Sequence, residues 1–129
     1  MFIYEIINKI KTLKLMAVYE VNNLIIHKGT DFTKTFSDIV NEDGSPLGIT
    51  SSYSGVSKLR KHSTSEDSFP FNVALDINED TITISMASTI TSTLPSGRCY
   101  FDILLASGEN STTKKYISGT LIVQDTCSL

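Results

Sequence analysis

The chain has 129 residues, of which 40% are hydrophobic, 19% charged and 9% aromatic; this suits one cored domain and excludes both a disordered polymer and two well-cored domains. A net charge of −3 and a pI near 5.2 give no electrostatic drive toward bulk nucleic acid. Ser and Thr account for 32 residues, an excess that fits the half-wet faces of antiparallel sheets and says little about catalysis.

The opening segment places Phe2, Ile3, Ile6, Ile7, Ile10 and Leu13 largely at helical spacing, with Lys9, Lys11 and Lys14 mainly off that stripe. It falls short of the ~20 apolar residues of a membrane span. Its charges follow the apolar residues instead of preceding them, and it has no small-residue cleavage site, so it is a poor signal peptide. Three readings stay open: an amphipathic arm that docks on a neighbouring subunit, an over-extended start with Met16 as the true first residue, and a membrane-surface helix. Residues 1–16 are accordingly set apart as an arm or short helix, and 17–129 form the domain.

Strand patterns then follow. Val18 to His27 is β-rich and closes at Lys28-Gly29. Asp31 to Ile39 alternates imperfectly, as in an edge or bulged strand. Asn41 to Pro46 is a turn whose Asp43-Gly44 supplies a positive-φ corner. Ser51 to Lys61 is a third strand, out of strict period, with a bulge expected near Gly55. His62 to Ser68 reads as a loop. Phe69, Phe71, Val73, Leu75 and Ile77 alternate with polar or small residues, a face expected to be buried, and Asn78-Glu79-Asp80 leads into a hairpin partner over Ile82, Ile84 and Met86. Ile90 and Leu94 suggest one helical turn, stopped by Pro95 and Gly97. Arg98 to Ala106 is apolar on both faces around Phe101 to Leu105, as in a central strand. Thr113 to Gln124 closes the domain. About seven short strands at regular spacing predict an all-β, immunoglobulin-like antiparallel sandwich.

Three stretches taken together carry a resemblance. Leu24 to His27 followed by Lys28-Gly29-Thr30-Asp31-Phe32 forms an opening strand and turn. Asp43-Gly44-Ser45-Pro46-Leu47 forms an Asp-Gly-x-Pro turn. Gly97-Arg98-Cys99-Tyr100-Phe101-Asp102, with Ser107-Gly108 and Ile117-Ser118-Gly119-Thr120-Leu121-Ile122-Val123, forms the ending. In order and spacing this set resembles small tailed-phage virion structural proteins and is similar to the N-terminal sandwich domain of phage baseplate upper proteins. The chain departs from that pattern where Cys99 splits the Arg-Tyr pairing and Phe101 replaces an aromatic alcohol. The resemblance implies a non-enzymatic part that packs in many copies in a virus particle, as capsid decoration or cement or in the neck, tail or baseplate, assembled in the host cytoplasm. Its implied partners are other virion proteins and further copies of itself, with no direct nucleic acid contact and no membrane; the residues themselves point to no metal or cofactor. Gly29, Thr30, Asp31, Phe32, Asp43, Gly44, Gly97, Arg98, Tyr100, Asp102 and Gly119 are the structural residues of the motifs.

The residues also read without the resemblance. Gly29-Thr30-Asp31 makes a tight Asx or Thr turn. Arg98 and Asp102 share strand parity and so a face. Tyr100, Phe101 and Tyr116 supply cross-strand packing. The pairs Glu42-Asp43, Glu66-Asp67 and Glu79-Asp80 fall in turns, as solvated tips instead of a facing catalytic pair, and match no twelve-residue calcium loop. Arg60-Lys61-His62 is a solvated basic edge or a bridge to a neighbouring acidic subunit. Cys99 and Cys127 read as free thiols. Neither a Gly-x-Ser-x-Gly elbow nor a phosphate-cradling loop occurs. The exposed sheet faces are the expected working parts. A secreted or surface module that binds carbohydrate or protein through its loops is the alternative function.

Overall fold

The computed structural model describes residues 19–41, 43–108 and 112–128. The arm expected over 1–16 and the domain boundary after it lie outside these residues. The described chain is all-β, with strands β1 (Tyr19–His27), β2 (Phe32–Phe36), β3 (Tyr53–Arg60), β4 (Phe69–Asp76), β5 (Thr81–Met86), β6 (Gly97–Ser107) and β7 (Thr112–Gln124), and one short helix, α1 (Ser88–Thr91). They form a seven-stranded sheet in the order β1-β7-β6-β3-β4-β5-β2. Every pairing is antiparallel except that of β1 with β7, which is parallel.

This order dictates curvature. β1 and β2 are the two edges, yet His27 and Phe32 are consecutive strand ends. In a flat sheet six strand spacings would hold the edges about 29 Å apart, whereas five residues reach at most about 18 Å. The sheet must therefore curl on itself, and it is nearly a barrel. The bend is made in β4, whose first half, Phe69 to Phe71, pairs with β3 and whose second half, Asn72 to Asp76, pairs with β5. Pro70, which has no ladder donor, sits in the half that has only β3 beside it.

The core fills the curled sheet. Along β6 the inward residues are Cys99, Phe101, Ile103 and Leu105, all buried, and they meet Leu24 and Ile26 of β1, Leu59 of β3, Ile82 and Ile84 of β5, and Leu121 and Val123 of β7. Phe71 bridges the bend, with its ring centroid 5.9 Å from Phe32 and 6.4 Å from Phe101. One end is closed by the 37–50 segment through buried Ile39, Leu47 and Ile49. The other is closed by α1 and Leu94.

Several expectations change. β3 pairs with β6 in unbroken register from Tyr53↔Ser107 to Arg60↔Tyr100, so there is no bulge at Gly55. Gly55 is required instead by packing, since a Cβ there would lie 2.6 Å from Val73 Cγ1. The strand keeps period 2, with Val56 simply facing outward. β2 is shorter than expected because Asp38 takes φ 59°, which resets the parity and turns Ile39 inward. Ile77 lies beyond the end of β4 and is exposed. In α1 the buried residue is Thr91, and Ile90 faces outward. The β4–β5 hairpin and the central place of β6 agree with the sequence pattern.

Candidate functional site

Two places gather the motif residues. The first is the tight connection between β1 and β2. Thr30 Oγ1 donates to the His27 carbonyl at 2.6 Å. The Gly29 N–H, in a residue at φ 80°, donates to Thr91 Oγ1 at 3.0 Å, and that hydroxyl in turn donates to the Thr30 carbonyl at 2.8 Å. Asp31 reaches across to accept from the Ser88 N–H at 2.8 Å and so caps α1. Lys28 is held from the other side. Its N–H donates to the Gln124 carbonyl, its carbonyl accepts from Thr126 Oγ1, and its ammonium lies 3.7 Å from Asp125. The Gly-Thr-Asp run is thus a clasp that fastens the two sheet edges to α1 and the C-terminal tail. Phe32 packs against the core from this clasp.

The second is the outward face of β3, β6, β7 and β1. Register sets three rows across it: Arg60, Tyr100 and Thr120; then Lys58, Asp102, Ser118 and Glu20; then Val56, Leu104 and Lys115. Together they line a half-open groove of about 520 Å³. Val56 is 53% exposed and Tyr100 40%, large for apolar or aromatic side chains sharing one groove. Arg98 and Asp102 share this face, as their parity requires, but Asp102 pairs with Lys115 at 3.8 Å and not with Arg98. Phe101 points inward, Tyr100 outward, and Tyr116 hydrogen-bonds Asn41, so the three aromatics do not form one cross-strand cluster.

Gly119 permits the close approach of β1 at the parallel edge. Opposite it, β1 carries an extra residue between Val21 and Leu24, which drives the Val21 carbonyl toward β7. A Cβ on Gly119 would lie 1.7 Å from that oxygen. The next β7 amide, Thr120, is served by the bulged strand through Asn22 Oδ1, which accepts from both its N–H and its hydroxyl, at 3.1 and 3.0 Å.

The remaining motif residues make turns. Gly44 sits at φ 86°, and Asp43 Oδ1 accepts from both the N–H and the hydroxyl of Ser45. Gly97 at φ 98° lets the chain enter β6 beside Lys61. Lys61 Nζ donates to the Ser96 carbonyl at 2.7 Å, and Arg60 Nη1 donates to the Ser65 carbonyl and, at 3.3 Å, to that of Glu66. Both cations therefore cap loop carbonyls of their own chain. The reading of Glu79-Asp80 as a solvated tip is incomplete. Asp80, at φ 55°, accepts from the Gly48 and Ile49 N–H groups at 3.1 and 2.8 Å and pins the 37–50 segment. Among the described residues no three His, Cys, Asp or Glu stand close enough to hold a metal ion.

Cys99 is buried and Cys127 exposed, and both are free. Burial pushes the Cys99 thiol above its ordinary value of 9.0, with the Lys61 ammonium pulling weakly the other way. Native protein should react with a disulfide reagent at Cys127 alone and in denaturant at both thiols. Equal native reactivity of the two would contradict the packing. The folded value is the higher one, so the linked stability is complete below 9.0 and is lost as pH rises from there through the raised folded value. Urea midpoints should accordingly fall on the alkaline side more in the native chain than in Cys99→Ala.

Sequence pattern does not single out Thr91, Val56 or Leu104 as functional. A buried threonine in a Ser/Thr-rich run has no distinguishing signal, and the outward row emerges only once register is known. No protein-family model matches the chain, and no curated protein matches it either.

Proposed function

We propose that the chain is a non-enzymatic structural protein of a tailed-phage particle, an immunoglobulin-like sandwich packed in many copies as capsid decoration or cement, or in the neck, tail or baseplate. The observation that carries this reading is the outward face of β3, β6, β7 and β1, where Val56, Tyr100 and Leu104 stand among small polar residues, the Asp102–Lys115 pair and the charged side chains of Glu20, Lys58 and Arg60. Such a mixture suits burial against another protein surface. Two features of topology support the sandwich. The split pairing of β4 divides the strands into a β1-β7-β6-β3 group and a β4-β5-β2 group around one core, and β1 runs parallel beside β7. The order and spacing of the Gly-Thr-Asp-Phe, Asp-Gly-x-Pro and Gly-Arg-x-Tyr-x-Asp stretches support the phage assignment.

The test is sedimentation. Particles of the encoding phage, banded on a density gradient, should contain the chain in fixed proportion to the major capsid protein. Recovery only in the soluble fraction of the lysate would overturn the reading.

A further inference from the structure

The outward face has exposed apolar side chains and nothing among the described residues covering it. Tyr100 and Leu104 are four residues apart on β6, about 14 Å along the strand, with Val56 beside Leu104. The sequence holds a segment of matching length. From Ile3 to Leu13 its apolar stripe would run about 15 Å as a helix. Lys58 and Glu20 flank the face on β3 and β1 with no ion pair among the described residues, and the segment brings charges of both signs, Glu5 and Lys9, Lys11 and Lys14.

Where the segment joins the sheet decides whose face it can reach. Met16, Ala17 and Val18 separate it from Tyr19, the first residue of edge strand β1. Between Lys9 and Val18 there is no Gly, Pro, Asn, Asp or Ser, the residues that most readily reverse a chain, and this composition favours reach to a neighbouring copy.

We propose that residues 1–15 of one copy seat on the β3-β6-β7-β1 face of a second copy, with the isoleucine stripe over Val56, Leu104 and Tyr100. This rests on the reading that the protein packs in many copies, and it names the contact that joins them.

The test is directed cross-linking of the full-length chain in a Cys127→Ser background. Copies with Ile7→Cys are mixed with copies with Val56→Cys, or with Tyr100→Cys as a second receiving position, and oxidised mildly. Disulfide-linked heterodimer should form about tenfold more than with an Ile77→Cys control, because docking raises the effective thiol concentration. Ile77 is equally exposed but lies beyond β4. Yields no higher than the control at both positions would overturn the proposal. So would a chain carrying Ile7→Cys and Val56→Cys that closes on itself as a monomer, which would assign the face to its own segment. Cross-linking is read in solution and particle association on a gradient. A chain that sediments with particles yet fails to cross-link therefore removes this contact and leaves the structural role standing.

Discussion

Gly119→Ala should destabilise the domain by about 3 kcal/mol or more, among the largest effects of any single methyl added to this chain. The new Cβ would stand 1.7 Å from the Val21 carbonyl oxygen and 2.7 Å from its carbon. Those are backbone atoms, so no rotamer change relieves the clash. The chain has two responses. β7 and β1 can separate, which uncovers Leu24 and Ile26, now 8% and 0% exposed, at about 1.5–3 kcal/mol for each side chain. Or the bulge can be forced flat, which breaks the two hydrogen bonds from Thr120 to Asn22. Gly44→Ala is the internal comparison. Gly44 has φ 86° with nothing within 4 Å of a Cβ, so only the left-handed conformation resists, at about 1–2 kcal/mol. Urea unfolding of the two variants checks the ranking. A Gly119→Ala midpoint equal to or above that of Gly44→Ala would refute the close approach of β1 to β7.

The contrast between these glycines marks how far the sequence can be read. Asp43-Gly44 announces its own conformation, because turn chemistry is local. Gly119 and Gly55 do not. Each is needed because a strand distant in sequence comes close, at Val21 in one case and Val73 in the other. Nothing within a few residues of either position encodes that approach. The same division runs through the fold. The period-2 faces of β4, β5 and β6 are legible, as is the β4–β5 hairpin, because alternation and turn residues are properties of short windows. Strand order is not. The parallel pairing of β1 with β7 and the division of β4 between two partners depend on how the whole sheet closes. Asp38 and Asp80 also mislead, since each adopts a positive φ that glycine would have advertised.

The candidate site follows the same rule. Parity along β6 is enough to place Arg98, Tyr100 and Asp102 on one face. It cannot supply Val56, Lys115 or Glu20, which reach that face only through register. Asp102 illustrates the cost of reading one strand alone. Its own strand offers Arg98, while the ion pair is made with Lys115 on the neighbouring strand. Likewise Gly29-Thr30-Asp31 is legible as a turn, but the partners of Gly29 and Asp31 are 62 and 57 residues away.

The clasp yields the second large effect. Thr91→Val should cost about 2 kcal/mol, and Thr91→Ser about 1 kcal/mol, although valine is the closer match in shape and the more apolar. Thr91 is fully buried. Its hydroxyl accepts from the Gly29 N–H at 3.0 Å and donates to the Thr30 carbonyl at 2.8 Å. Valine fills the same space and removes the Thr91 partner of the half-buried Gly29 N–H and of the Thr30 carbonyl, and an N–H left unmet there bears part of the desolvation penalty. Serine keeps both bonds and loses only one buried methyl, worth about 0.8 kcal/mol. The order therefore separates hydrogen bonding from packing. If Thr91 acts as core filler, serine is the worse variant; if it holds the clasp, valine is. The location of the damage provides a second check. The bonds tie the β1–β2 connection to α1, across the seam where the two sheet edges meet. Amide exchange at Gly29 and Ser88 should therefore accelerate in Thr91→Val well before that of central strand β6. Uniform acceleration across β6 and the seam would mean that Thr91 supports the core as a whole and that the clasp is not a separate fastening.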